Sequence, residues 1–314
     1  MPRPNFLLLV YYARSGSTFL ASRVAQEAPS VIVLPELEFP VHLLYCDTPQ
    51  ERLKQMALDG RTASLNISWE RLKRLAEDPA NESLCSFLTE LAIEYRKSVN
   101  PGLSHVAPHS ILLKHGKYIN AHAGVLSKSF GSYKWLSISR DPRACLSSAW
   151  NTTSIFKYRK MSNSGPLRAC IRYRRFMRMI TSLDEERTCS IRYEDLIGDY
   201  GQTIDGVLSF AGVERSPQST IAYKIGRQMS AHSRIHEAPE QTRVYGWEDE
   251  LPLRHRFIIE ASLPDLCNDR QIANALPKMH QWRFWAISCI EYLLLDPYHF
   301  LASRLVTKEH SAHG

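Results

Sequence analysis

The 314-residue chain holds no two cysteines close enough to clamp a metal or form a local redox pair. Its seven cysteines (Cys46, Cys85, Cys145, Cys170, Cys189, Cys267 and Cys289) are scattered, none within eighteen residues of the next. That spacing excludes CxxC-type zinc or thioredoxin-like motifs and fits reduced, mostly buried thiols, which points to a cytoplasmic protein. Long hydrophobic runs are also missing. The N-terminal run around FLLLVYY covers about eight residues, well short of the ~20 a membrane span needs. Arg14 follows at once, where a signal peptide would need a small-residue cleavage site, so neither a leader nor a membrane span is expected. Sequons at Asn66, Asn81 and Asn151 would matter only in a secretory compartment. There is no internal repeat, no low-complexity tract and no linker rich in Pro, Gly and Ser. A hydrophobic fraction of 44% with 23% charged residues excludes disordered, collagen-like and coiled-coil classes. The one compositional bias is charge: 39 Lys and Arg against 32 Asp and Glu, or +7. It favours an anionic partner without choosing its kind.

The hydrophobic pattern alternates between strands and helices. Phe6 to Tyr12 is a continuous apolar run before a Gly/Ser turn, as in a strand buried on both faces. TFLASRVAQEA follows at helical spacing and ends at Pro29, and Val31 to Leu34 reads as a second strand. Residues 48–99 are helical in period, broken at Asp78-Pro79. Ser110 to Lys114, Lys134 to Ser139 and Thr188 to Tyr193 read as further strands. Helices are expected over 118–130 and from Ala144 to Trp150. Phe284 to Leu305 is apolar but interrupted by Glu291, Asp296, Pro297 and Arg304. It reads as a packed helical hairpin, with membrane-surface contact as the alternative. The pattern predicts an α/β domain with a central parallel sheet and helical insertions, whose ligands bind at the carboxyl ends of the strands.

Two strand-to-helix junctions carry the chemistry. In LVYYARSGSTFL, Arg14-Ser15-Gly16-Ser17-Thr18 joins the first strand to its helix. Gly16 permits a tight turn whose backbone N–H groups form an anion site at a helix N-terminus, with hydroxyls and a permanent charge beside them. A merely serine-capped helix is the structural alternative. The pattern G-x-x-x-x-G-K-[ST] is absent, so this phosphate loop is not the one that holds ATP with magnesium. In SYKWLSISRDPRACLSSAW, Arg140 follows a strand and Ser148 lies eight residues on, with Asp141 at the cap and Pro142 in the first turn. The two side chains suit a second phosphate. Pairing of Arg140 with Asp141 is the alternative.

Together these junctions resemble the sulfotransferases that use 3′-phosphoadenosine 5′-phosphosulfate (PAPS). The resemblance implies a P-loop-like three-layer sandwich, a single domain over 1–314 with its core at about 5–250, and a C-terminal helical extension over about 251–314. It implies that Arg14, Ser15, Gly16, Ser17 and Thr18 hold the 5′-phosphosulfate and that Arg140 with Ser148 holds the 3′-phosphate. Phe19 matches the aromatic that stacks on the purine. Tyr193, in SIRYEDLIGDYGQ, matches a tyrosine near adenine, and Arg243, in QTRVYGWEDEL, an arginine of a loop over the cofactor. RSGST with RDPRA is similar to the carbohydrate and bacterial branch; the phenol and steroid branch carries Lys at the Arg14 position.

For the reaction, Arg14 is expected to stabilise the bridging oxygen of the leaving phosphate, and Lys114 to neutralise sulfuryl oxygens. The acceptor hydroxyl needs a general base. Glu36 and Glu38, in PELEF, come first, since a Glu-containing segment of similar form occurs in a trehalose-type bacterial sulfotransferase. His115 is the rival, because it ionises near neutral pH. No metal is expected. The basic run Arg168 to Arg178 reads as a solvated helix face. The resulting expectation is sulfuryl transfer from PAPS to a hydroxyl on a carbohydrate or glycosylated small molecule, with no nucleic-acid partner. The rivals are a nucleotide kinase-like phosphotransferase, and a non-catalytic module binding phosphonucleotide or sulfated glycan.

Overall fold

The computed structural model describes residues 4–37, 39–114, 123–130, 132–152, 164–216, 242–267 and 271–295. Five strands, β1 (Asn5–Tyr11), β2 (Val31–Val33), β3 (Ser110–Lys114), β4 (Tyr133–Ser139) and β5 (Thr188–Arg192), form one parallel sheet in the order β2-β3-β1-β4-β5. The apolar run of β1 is central because it is buried on both faces; Phe6 to Val10 are essentially inaccessible. Successive strands leave β1 toward β3 on one side and β4 on the other. The gap between β1 and β4 is therefore the topological switch point, where sheets of this kind bind ligands. Register places Leu9 opposite both Lys114 and Leu136, so Lys114 ends β3 near the loop that leaves β1.

The helices are, in order, α1 (Ser17–Glu27), α2 (Phe39–His42), α3 (Pro49–Leu58), α4 (Trp69–Glu77), α5 (Leu84–Val99), α6 (Ala123–Phe130), α7 (Pro142–Asn151) and α8 (Pro166–Thr181). Then come α9 (Tyr193–Gly198), α10 (Tyr200–Ala211), α11 (Thr242–Tyr245), α12 (Trp247–Glu250), α13 (Leu253–Ser262) and α14 (Lys278–Ile290). The break expected at Asp78-Pro79 is a 3-10 turn, Pro79–Asn81, between α4 and α5. Its first turn is capped by the Asp78 carboxylate, which accepts from Ala80 N–H at 2.9 Å.

The contacts divide into two compact units. One comprises 1–139 with 179–239 and contains the sheet; the other comprises 140–178 with 240–314. In the second unit Phe257, Ile258 and Ala273 form a core joined by Leu167, Leu276, Phe284 and Trp285. Thus Phe284 and Trp285 pack α14 inward, as a packed helix requires. The second arm expected for a hairpin lies outside the described residues. On α8 the arginines are not simply solvated: Arg174 pairs with Asp265 at 2.8 Å and also donates to the Ser262 carbonyl. Among the described residues all cysteines are free thiols, and Cys85, Cys145 and Cys170 are buried. No helix there is long and apolar enough to cross a membrane.

Candidate active site

The β1–α1 loop is built around two left-handed residues, Arg14 at φ 69° and Gly16 at φ 93°. Ser15 N–H donates to the Tyr12 carbonyl at 3.1 Å and closes the turn. Gly16 is the N-cap of α1, so no side chain caps that helix. The serine cap weighed from the sequence is not formed. The first-turn amides instead face an end without a side-chain acceptor, where the helix dipole favours an anion. Only glycine fits here for a second reason. A Cβ at Gly16 would lie 2.2 Å from Cδ2 and 2.6 Å from Cε2 of Tyr193, whose ring lies against the turn. Tyr193 starts α9 directly after β5, which is how the strand order brings it to this loop.

Three cations and one carboxylate meet beside the loop. Lys114, at the end of β3, is buried, and its Nζ donates to Thr18 Oγ1 at 2.6 Å and to Glu36 Oε2 at 3.0 Å. Arg61 Nη1 donates to the other oxygen, Glu36 Oε1, at 2.7 Å. Arg61 is presented by the turn after α3, where the Asp59 carboxylate accepts its backbone N–H at 2.9 Å. Burial works against the Glu36 charge. The charges of Lys114 and Arg61 and hydrogen bonds from Lys114 and Tyr11 outweigh it, and hold the carboxyl down at about 2. Burial also pushes the Lys114 ammonium down, and the charges of Arg61 and Arg14 add to this while Glu36 opposes it. The pair is charged at rest: the Lys114 ammonium donates to Thr18 at 2.6 Å and to the Glu36 carboxylate at 3.0 Å, and Arg61 adds a second positive charge on Glu36.

The second junction lies in the other unit. Asp141 caps α7, its carboxylate accepting from Arg143 N–H at 2.8 Å, with Pro142 in the first turn. The Asp141 carboxylate also pairs with the Arg143 side chain, whose Nη2 lies 2.7 Å from Asp141 Oδ2. Arg143 is fully buried. It also donates to the buried Glu260 at 2.9 Å and lies 3.9 Å from the Trp247 ring centroid. Burial opposes the Arg143 charge, but the two carboxylates more than offset it and its pKa is raised. Glu260 in turn accepts from the Ile272 and Ala273 amides at 2.6 and 2.9 Å and from Arg256 at 3.0 Å. Ser147 and Asn151 of α7 both donate to Glu250 of α12. The helix that carries Ser148 is therefore clamped to α12 and α13. The Arg140 carbonyl accepts from the Tyr173 hydroxyl. Arg140 and Ser148 are both half-buried.

The expected residues therefore fall into two groups. Arg14 to Thr18, Phe19, Glu36, Lys114 and Tyr193 belong to the sheet unit, and Arg140 and Ser148 to the helical one. Phe19 is buried, with the Arg23 guanidinium 4.8 Å over its ring. Glu38 and His115 lie outside the described residues. Arg243 is on α11, and its side chain is likewise outside them. Arg61, Tyr11 and the Arg143–Glu260–Trp247 cluster were not expected. No spacing marks Arg61 or Glu260, which come from distant segments, whereas Arg143 stands within RDPRA and only its burial was hidden.

The sheet-unit loop suits a phosphosulfate. Ser15 Oγ is buried and has no hydrogen-bond partner among the described residues. An uncapped helix start, a positive-φ glycine and nearby Arg and Lys complete an anion-binding donor set. Among the described residues no group of three or more His, Cys, Asp or Glu could hold a metal.

No curated protein sequence matches this chain. Solved structures that share its fold include the "Sulfotransferase Domain from the Curacin Biosynthetic Pathway" and the "Sulfotransferase Domain from the Synechococcus PCC 7002 Olefin Synthase". The first is 18% identical with TM-score 0.51, covering 84% of this chain and 97% of that one. The second is 19% identical with TM-score 0.50, covering 88% of this chain and 98% of that one. The model of the Sulfotransferase family matches residues 9–217, a span that holds both junctions, Glu36, Lys114 and Tyr193. On that match the chain belongs to the sulfotransferase family, enzymes that transfer a sulfuryl group from PAPS.

Proposed function

We propose that the acceptor is a hydroxyl on a carbohydrate or glycosylated small molecule, and that the chain acts as one domain in the cytoplasm. The RSGST and RDPRA forms, similar to the carbohydrate and bacterial branch, support the acceptor class. Seven scattered free thiols support the compartment. The observation that carries the site is the Lys114 ammonium, buried against Thr18 and paired to Glu36 beside an uncapped helix start.

When bound, PAPS supplies the sulfuryl group and the 5′-phosphate that leaves with the bridging electron pair. The acceptor oxygen forms the new S–O bond while its proton passes to a base. Arg14 and the first-turn amides of α1 would stabilise charge on the leaving phosphate, and Lys114 would neutralise the sulfuryl oxygens. Ser15, Ser17 and Thr18 add hydroxyl contacts. Arg140 and Ser148 hold the 3′-phosphate, with Phe19, Tyr193 and Arg243 around the nucleoside.

Glu36, held at about 2, is a weak proton acceptor at neutral pH, since a general base works best with a pKa near the working pH. Its place in the reaction is to position Lys114 and Arg61. Glu38 and His115 then remain as bases. Single-turnover transfer of labelled sulfate from PAPS to a panel of sugars and non-sugar alcohols tests the acceptor. Transfer only to non-sugar alcohols refutes the carbohydrate reading. In the same assay Glu38→Gln or His115→Ala should lose the chemical step with cofactor binding kept. If only Glu36→Gln does so, Glu36 is the base. Arg140→Ala should weaken 3′-phosphoadenosine 5′-phosphate (PAP) much more than adenosine 5′-phosphosulfate, and equal losses refute the 3′-phosphate role.

A further inference from the structure

The helix that ends the described chain presents an apolar face that none of the described residues of its own unit covers. Along α14 and the π-helical turn Glu291–Leu295, Trp282 is 76% exposed, Met279 68%, Leu293 67%, Leu294 66% and Ile290 55%. Ile287 and Tyr292 are exposed as well. At 3.6 residues per turn, Met279, Trp282, Ile287 and Ile290 lie on one arc, opposite Phe284 and Trp285, which face the core. The strip runs ~23 Å along the axis. Its apolar area is on the order of several hundred Å², at or above the largest patch of an ordinary soluble monomer.

Charge selects the occupant. The strip carries Lys278, Arg283 and Glu291, and the Glu291 carboxylate is already held by both nitrogens of Arg254, at 2.7 and 2.8 Å. What is left over is positive, on a chain of net charge +7. Arg283 stands within the apolar arc, where a long side chain lays its stem along apolar matter and keeps its head in a polar layer. A second copy packed by two-fold symmetry would set this patch on itself and bring like charges together. An anionic lipid surface satisfies both parts: acyl chains take Trp282, Leu293 and Leu294 while headgroups take Lys278 and Arg283. An exposed tryptophan at the edge of such a strip is suited to the headgroup boundary.

We propose that α14 and its following turn form a docking face for an anionic membrane surface, lying along the interface without crossing it. The test is flotation of the full chain with vesicles of phosphatidylcholine alone and of phosphatidylcholine mixed with phosphatidylglycerol. Binding is expected to the mixed vesicles and to fall with added salt. Trp282→Ser combined with Leu293→Ser should lower the bound fraction about tenfold, and Lys278→Glu with Arg283→Glu should abolish the preference for phosphatidylglycerol. PAP affinity should stay unchanged in all of them, which shows that the variants are folded. Three results overturn the proposal: no flotation of the unaltered chain, flotation unaffected by the substitutions, or a dimer in sedimentation that the same substitutions dissociate without any vesicle binding. The last would assign the face to a second copy.

Discussion

Replacing Gly16 by alanine tests the β1–α1 loop at its tightest point. The new Cβ would sit 2.2 Å from Cδ2 and 2.6 Å from Cε2 of Tyr193, where ordinary contact starts at 3.4 Å. The ring or the loop must therefore give by about 1 Å. Tyr193 cannot simply swing away, because it is buried and starts α9. Overpacking of this kind costs ~1–3 kcal/mol. Holding alanine at φ 93° adds ~1–2 kcal/mol. The total, about 2–5 kcal/mol, predicts a melting temperature lower by several degrees or more. It also predicts a loss of PAP affinity of about tenfold or greater, since displacing a preorganised donor loop by ~1 Å costs that much or more. Calorimetric titration with PAP and thermal melts read both effects. Tyr193→Ala is costly by itself, but in the double variant it removes the clash and leaves only the φ penalty. The two substitutions together should then cost ~1–3 kcal/mol less than their sum. Additive losses, or a Gly16→Ala protein that melts and binds PAP like the original, would show that the loop and Tyr193 do not form the packed unit described here.

Acid should act through Glu36. Its carboxyl lies at about 2 when folded and at about 4.3 when unfolded, so its contribution is complete above the unfolded value and vanishes as pH falls from there through 2. Melts across that range should show a weaker acid dependence for Glu36→Gln than for the unaltered chain, and identical slopes would refute the assignment. Arg143→Met should leave Glu260 and Asp141 buried with their main cation gone, and destabilise by ~3–5 kcal/mol in denaturant unfolding. Glu260→Gln keeps an acceptor for the Ile272 and Ala273 amides and should cost less. Arg61→Ala should raise the Glu36 pKa toward its unfolded value, so that melts across the acid range lose less stability than in the unaltered chain, because one of the two cations that hold the carboxyl down is gone.

Local chemistry was legible in the chain wherever one segment held all of it. The apolar runs that became β1, β3 and β4 were readable because strands buried on both faces need continuous hydrophobicity. Gly16 was readable as a turn because no other residue adopts its φ cheaply, and Asp141 with Pro142 marked the start of α7 because caps are short-range. Adjacency in space was not legible. Nothing in the order of residues told that Arg61 would close on Glu36, that Tyr193 would lie on Gly16, or that Arg143 would be held by Glu260. Those partners come from segments 25, 177 and 117 residues apart, and only the order β2-β3-β1-β4-β5 and the packing of α7 on α13 bring them together. The same holds for α14: an apolar stretch predicts burial, and which of its faces finds a partner is decided by the surface it meets. Sequence dictates what each segment prefers, through sterics and hydration acting within a few residues. Electrostatic fate, such as the lowered pKa of Glu36 between Lys114 and Arg61, depends on charges that only the folded chain assembles.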